Sequence, residues 1–150
     1  MLELNNQNFN HLKIHTQYSI CEGAIKIDNL KDFCKEKKIP CLGISDTSNL
    51  CGALEFAENI SKVGTQPIIG TQIYFRFEDT TGLLPLIALN ENGYKKIIEL
   101  SSRSYLENDA LSDPHLDIKE LLIDTEGVSL LSGTIQGLFG KLFEKGRLDE

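Results

Sequence analysis

The sequence has little of what marks membrane, secreted or metal-ribbon proteins. No stretch approaches the roughly 18 uninterrupted apolar residues of a transmembrane helix. The opening MLELNNQNFN carries neither the positive charge nor the apolar core of a signal peptide. The four cysteines form no C-x-x-C pair, so neither a zinc ribbon nor a redox motif is indicated. These absences predict a cytoplasmic protein with reduced thiols.

Positive charge is also scarce. The chain carries 15 Lys and Arg against 22 Asp and Glu, for a net charge of −7. A domain that grips DNA through its phosphates usually presents a basic patch. The densest basic run here is Lys35, Lys37 and Lys38, which Glu36 interrupts, and this pattern is typical of a solvated helix end. We therefore expect no tight direct binding of DNA, and no membrane binding, by this segment.

What the chain does contain begins with an alternating segment at residues 11–15. Its apolar residues point one way, while His11, Lys13 and His15 point the other way, as in a β-strand. Three ionisable side chains on one face of a strand require water, a cation or carboxylates in front of them. The sequence thus predicts a strand here, followed by a loop over residues 16–24.

Helices and strands then alternate along the chain. A helix is predicted to about Lys38, a buried parallel strand over 41–45 that stops at Asp46, and a second helix before Gly64. Residues 67–77 and 83–89 read as strands, and the turn between them is too short for a parallel crossover. The sequence therefore predicts an antiparallel hairpin at this point.

The second half of the chain continues this alternation. Asn90 can cap a helix, and a short helix over 118–123, a strand over 127–132 and a helix over 135–145 follow. Such alternation predicts an α/β fold. Because a closed β/α barrel typically needs about 250 residues, the 150 residues form either a small open sheet or part of a barrel. Periodicity leaves both possibilities open.

Four segments resemble, in order and spacing, the PHP (polymerase and histidinol phosphatase) domains of bacterial replicative polymerases, the DNA polymerase III alpha subunits. They are HLKIHTQYSICEGAIKI from residue 11, GISDTSNLCGALEF from residue 43, QPIIGTQIYF from residue 66 and LLSGTIQG from residue 130. The resemblance implies a distorted seven-stranded, TIM-like β/α barrel. Residues 1–150 would supply the first part of this PHP domain, and the polymerase region would lie downstream.

The resemblance also implies a site where histidines, carboxylates and a cysteine hold two or three divalent cations in active members of the family. Seven of its ligand positions fall within this chain. Only His15 matches outright, and Glu22 matches in kind because it replaces an aspartate. The other five positions have lost their ligand type; they are Lys13, Thr47, Gln72, Leu83 and Thr134. Protonated lysine has no lone pair to offer a metal.

This pattern resembles the metal-free PHP domains of some proteobacterial replicases. It implies a scaffold without catalytic residues, metal or cofactor of its own, with Mg²⁺ needed only by the polymerase region of the parent DNA-directed DNA polymerase. The implied partners are the rest of that chain and the proofreading exonuclease. Two alternatives remain open at this point: an active metal-dependent PHP phosphoesterase or 3'-5' exonuclease, and a free-standing α/β binding protein.

One charge relationship is also predicted. Lys13 shares its strand face with His15 and would project into the space that a metal fills in active relatives. A buried ammonium is costly without partners, and Glu22 and Asp46 are the natural counter-charges. We therefore expect a structural ion pair between Lys13 and these two carboxylates.

Overall fold

The computed structural model describes residues 9–109 and 111–147. The described part holds five strands and five helices, which alternate along the chain except for two consecutive strands. In chain order they are α1 (Ile27–Lys37), β1 (Cys41–Thr47), α2 (Ala53–Ser61), β2 (Gln66–Phe77), β3 (Thr80–Ala88), α3 (Glu91–Leu106), β4 (Leu116–Asp117), α4 (Ile118–Ile123), β5 (Val128–Leu130) and α5 (Leu138–Glu144). None of the helices in the described ranges is long and apolar enough to cross a membrane.

The strands form one mixed sheet in the order β1-β2-β3-β5, with β4 pairing with β2. β1 and β2 are parallel, and β2 and β3 form the antiparallel hairpin that the sequence predicts. β4 is parallel to β2, and β5 is antiparallel to β3. Four strands therefore run in one direction and only β3 runs against them. This is a mixed α/β sheet consistent with part of a TIM-like barrel.

Residues 11–15 do not form the regular strand that the sequence predicts, and this is the main difference between the predicted and the observed fold. This segment forms one isolated parallel bridge, Ile14 to Ile44, and no regular strand. It still lies along β1, because the N–H of Gly43 donates to His11 O at 2.7 Å and that of Ser45 to Ile14 O at 2.8 Å. A Cβ at Gly43 would lie 2.7 Å from Leu12 Cα, so this approach requires glycine.

Two apolar clusters hold the helices on the sheet. The first joins α1 and α2 to β1 through buried side chains that include Ile27, Leu42 and Phe56. The second joins α3, α4 and α5 to the hairpin through residues that include Phe75 and Leu100. Because apolar burial drives this packing, the sheet face that the helices cover is the core. Gln72 and Leu83 alternate with the core residues Ile73 and Leu84 along β2 and β3, so they lie on the opposite face.

The second half departs from the sequence prediction in its boundaries. β4 has only two residues and was not predicted, and β5 is shorter than the predicted strand. α5 begins at Leu138 because the preceding residues turn, with the N–H of Gly137 donating to Thr134 O at 2.8 Å. α3 runs to Leu106, and its Arg103 reaches α4 through a 2.8 Å ion pair with Glu120.

Candidate functional site

The seven ligand positions gather near the carboxyl end of β1. Thr47 is the last residue of β1, and Gln72 is its register partner on β2. Leu83 lies on β3 of the same hairpin as Gln72. The remaining four positions lie outside the regular elements; they are Lys13, His15, Glu22 and Thr134. The topology thus brings together residues that are far apart in the sequence.

Hydrogen bonds join three of these positions into a chain. Gln72 Nε2 donates to Thr47 Oγ1 at 2.7 Å, and Thr47 Oγ1 donates to Glu22 Oε2. A hydroxyl has one proton. Since Thr47 gives its proton to Glu22, it must accept from Gln72, and this fixes the amide nitrogen of Gln72 on the side of Thr47. The three side chains link β1, β2 and the loop that follows the N-terminal segment.

Gln72 also belongs to a second group around a small cavity of about 30 Å³. The residues that line this cavity include four of the seven ligand positions. The complete lining is Lys13, Gln72, Leu83, Pro85, Gly133, Thr134, Gln136 and Gly137. Gln72 is 2% exposed, and its Oε1 has no hydrogen-bond partner among the described residues. A buried acceptor without a partner is costly.

Asp46 lies beside this group but serves a different purpose. Its side chain is 1% exposed and accepts three hydrogen bonds. The N–H of Thr16 donates to Oδ1 at 2.6 Å, its hydroxyl donates to Oδ2 at 2.7 Å, and Ser19 Oγ donates to Oδ1 at 2.6 Å. Charge-assisted bonds of this length are strong. Asp46 therefore anchors the loop over residues 16–24 to the end of β1.

His15 joins this anchor through a longer contact. Its Nδ1 lies 3.5 Å from Ser19 Oγ. Because the Ser19 hydroxyl gives its proton to Asp46, a hydrogen bond here requires the proton on His15 Nδ1. The order Asp46, Ser19, His15 places the serine between acid and imidazole. This order does not activate a nucleophile, because the imidazole must be the base that accepts the serine proton.

The predicted ion pair of Lys13 is wrong. No ion pair joins Lys13 to Glu22 or Asp46, although the structure describes all three residues. Both carboxylates are already engaged by hydroxyl and backbone donors, and Lys13 is exposed. The sequence reasoning missed Thr16 and Ser19, which take the place that it gave to Lys13.

Two tyrosines border the site. Tyr18 donates to Glu55 Oε2 at 2.6 Å, and this hydrogen bond is the main cause that raises the pKa of Tyr18. Burial raises the pKa of Tyr74, and the charges of Glu22 and Asp113 add to the effect. Tyr74 also lines a wider cleft of about 560 Å³ beside the site. Both phenols are therefore held in their neutral form.

The side chains at the seven ligand positions decide whether a divalent metal centre could form here. Such a centre needs neutral imidazoles and ionised carboxylates about 2.0–2.2 Å from each ion. At the seven ligand positions only His15 and Glu22 are of these types, and Glu22 is already bonded to Thr47. In the described ranges, no group of three or more His, Cys, Asp or Glu side chains could hold a metal ion. These residues do not fit a metal centre with two or three ions.

Known proteins share both the sequence and the fold. The PHP domain family matches residues 11–150. DNA polymerase III subunit alpha of Caulobacter vibrioides is 36% identical over 159 residues, which cover 100% of this chain and 14% of that protein. The same subunit of Rickettsia felis is 34% identical and covers 89% of this chain and 11% of that protein. The subunit of Borreliella burgdorferi is 33% identical, and the match covers 95% of this chain and 13% of that protein.

A solved structure supports the fold. A protein of Bifidobacterium adolescentis named as a metal-dependent phosphoesterase superposes with a TM-score of 0.52 at 17% identity. The match covers 66% of this chain and 34% of that one, and it shows the fold alone.

The mixed sheet, with its polar site near the carboxyl end of β1, is consistent with part of a TIM-like α/β barrel. The chain belongs to the PHP domain family. It is homologous to the N-terminal region of DNA polymerase III alpha subunits, and it spans 14% and 11% of the Caulobacter and Rickettsia subunits.

Proposed function

We propose that this PHP domain has lost metal-dependent chemistry and serves as a structural and docking domain of a bacterial replicative DNA polymerase. The observation that carries the proposal is the hydrogen-bond chain from Gln72 through Thr47 to Glu22. Two of its members are neutral side chains at ligand positions. They link two strands and a loop by hydrogen bonds, at the place where metal ions would otherwise link them.

The surroundings support a structural role. Asp46 is 1% exposed and accepts three hydrogen bonds from Thr16 and Ser19, which hold the loop in place. The order of Asp46, Ser19 and His15 supplies no activated nucleophile. The polar side chains of the site therefore hold the loop and join the strands by hydrogen bonds, and in this proposal they supply no general base, nucleophile or Lewis acid.

The parent protein in this proposal is a DNA-directed DNA polymerase, a nucleotidyltransferase that acts in DNA replication in the cytoplasm. The proposal follows from the names of the relatives, which the chain covers over 11% to 14% of their length. Its Mg²⁺ would be held by the polymerase region. The PHP segment would need no cofactor, and the rest of the alpha chain would be its first partner.

The second proposed partner is the proofreading exonuclease. A domain without phosphoesterase activity of its own gives the replicase a reason to recruit a separate nuclease close to the polymerase. The net charge of −7 disfavours DNA as the ligand of this surface. The domain would thus hold the nuclease while other parts of the polymerase hold the DNA.

The metal content of the purified protein tests the loss of chemistry. After equilibration with manganese, zinc and iron salts and dialysis, elemental analysis should find no stoichiometric metal. One or more tightly bound ions per chain, together with hydrolysis of a phosphoester, would overturn the proposal.

A reconstructed variant provides the matched control. It combines five substitutions, Lys13→His, Thr47→His, Gln72→Glu, Leu83→His and Thr134→Cys. If the folded variant binds metal where the natural chain does not, these positions account for the loss. A variant that folds and binds none would show that the backbone, and not only the side chains, has left the metal-binding geometry.

A further inference from the structure

An apolar groove lies between α4 and α5, and none of the seven ligand positions lines it. It has a volume of about 400 Å³, and nine of the ten residues that line it are apolar. Leu121, Leu138 and Leu142 line the groove and also belong to the buried core that joins these helices to the hairpin. The floor of the groove is therefore fixed by the same packing that holds the helices on the sheet.

The walls of this groove are exposed to solvent. Leu122 on α4 is 70% exposed, Phe139 and Phe143 on α5 are 45% and 68% exposed, and Leu130 of β5 is 40% exposed. Single exposed apolar side chains are normal on a protein surface, but several around one concave site mark a place where another molecule binds. An amphipathic helix is a partner that buries its apolar side chains in a groove of this kind.

The cations of α5 are already engaged within the chain. Lys145 and Arg147 form ion pairs with the two carboxylates of the β2–β3 turn. Lys141 donates to Thr81 O at 2.8 Å and lines the separate cleft of Tyr74. These side chains therefore leave little positive charge for a ligand of the groove.

Carboxylates beside the groove are not engaged in this way. Three exposed acidic residues lie close in sequence to the lining residues and form no ion pair in the ranges that the structure describes; they are Asp124, Glu126 and Glu144. Lys119 on α4 is an exposed cation at this end of the molecule, and it does not line the groove. The charge offered to a partner beside the groove is therefore mainly negative.

We propose that this groove binds an amphipathic helix of a protein partner, whose apolar stripe packs on Leu122, Phe139 and Phe143 and whose flanking residues are basic. The proposal rests on the docking role proposed above, and it assigns that role a surface and a kind of partner. Apolar burial supplies the affinity of such a contact. Opposite charges around the contact raise the association rate and the specificity.

A designed peptide is the probe for this groove. It has about 15 residues of leucine and lysine, with the leucines at the helical spacing i, i+3, i+4 and i+7. In fluorescence anisotropy it should bind the purified chain with a Kd in the micromolar range, and added salt should weaken the binding. A peptide of the same composition in scrambled order, and one with glutamate in place of lysine, should each bind at least about tenfold more weakly.

Leu122→Asp separates binding in the groove from attraction by net charge. The variant adds a negative charge, so charge attraction alone would strengthen binding of the lysine peptide, whereas damage to the groove wall should weaken it about tenfold or more. Phe143→Asp should act in the same direction and decides the question if Leu122→Asp does not fold. Ile20→Asp is the matched control, because Ile20 is 85% exposed in the loop over residues 16–24, and it should not weaken binding.

Absent binding, equal binding of the scrambled peptide, or unchanged binding by both aspartate variants of the groove would overturn the proposal. Two other occupants would overturn it as well. A second copy would show as a dimer in sedimentation that Leu122→Asp converts to a monomer, and polypeptide that follows residue 150 would show as loss of peptide binding in an extended chain. The metal and phosphoester assays do not involve the groove, so the proposed loss of metal chemistry and this proposal can fail separately.

Discussion

Ser19 Oγ lies 2.6 Å from Asp46 Oδ1, and the backbone N–H of Thr47 donates to the same hydroxyl at 3.1 Å. Ser19 thereby joins the loop over residues 16–24 to both the carboxylate and the main chain at the end of β1. Both Ser19 and Asp46 are almost fully buried. The bond is therefore made where water cannot replace it.

Ser19→Ala should destabilise the protein by about 1–3 kcal/mol, because it removes one donor from a buried carboxylate and leaves the Thr47 N–H without its acceptor. Urea denaturation measures the effect. Ser102→Ala is the matched control, since Ser102 is exposed on α3 and bonds only to its own helix, and it should stay within about 0.5 kcal/mol. Equal midpoints for the two variants would show that Asp46 finds another donor.

The stability of the hairpin turn should depend on acid pH through Asp79. Lys145 donates to Asp79 Oδ2 at 3.1 Å, and this hydrogen bond is the main cause that lowers the pKa of Asp79. A lowered pKa in the folded state stabilises the protein above the ordinary pKa of about 3.9. That stabilisation is lost as the pH falls through the folded pKa.

Asp79→Asn should therefore be less stable than the natural chain near neutral pH, and the difference should vanish when the pH falls below the folded pKa of Asp79. Denaturant melts at several pH values measure this convergence. Asp32→Asn, an exposed change on α1, serves as the control. A difference that persists at the lowest pH would assign the effect to packing and not to charge.

The four cysteines should differ sharply in reactivity. Cys34 is 1% exposed and burial raises the pKa of its thiol, whereas Cys21 and Cys51 are exposed. Since the thiolate is the reactive form, Cys34 should react with a disulfide reagent only as fast as the protein opens. Absorbance traces with and without denaturant should show the two exposed thiols reacting first. Rapid reaction of all four in the native protein would contradict the packing of α1.

Docking should favour the exonuclease over DNA. Titration of the protein with the proofreading exonuclease of its own replicase, and separately with a DNA duplex at physiological salt, compares the two. The acidic surface should give measurable exonuclease binding and no submicromolar DNA binding. The opposite result would reverse the proposed docking role.

The sequence predicted the elements whose signals are local. The short turn between β2 and β3 required an antiparallel hairpin, and Asn90 caps α3 by accepting from the N–H of Gly93 at 2.9 Å, as expected. The buried parallel strand predicted over 41–45, which the structure shows as β1, followed from its apolar run. In each case neighbouring residues carry the signal, so tertiary structure has little to overrule.

The site was harder to predict, because its bonds join residues far apart in the chain. The sequence paired Asp46 with Lys13 on charge alone, and two hydroxyl residues of the loop are its actual partners. Side-chain alternation placed Lys13 on the site side, yet could not show that the carboxylates were already engaged. Residues 11–15 likewise alternate like a strand, but in the structure they pair with β1 at one isolated bridge.

The β2–β3 hairpin has a consequence for the order of folding. Gln72 and its partner Pro85 are close in sequence, whereas Gln72 and Thr47 pair across a helix. Local contacts close at lower entropic cost and form sooner than distant ones. We expect the hairpin to be structured in the transition state and the N-terminal segment to join late, with high φ-values at Leu84 and low ones at Ile14. The hairpin that carries Gln72 would then form before the loop over residues 16–24 packs beside it.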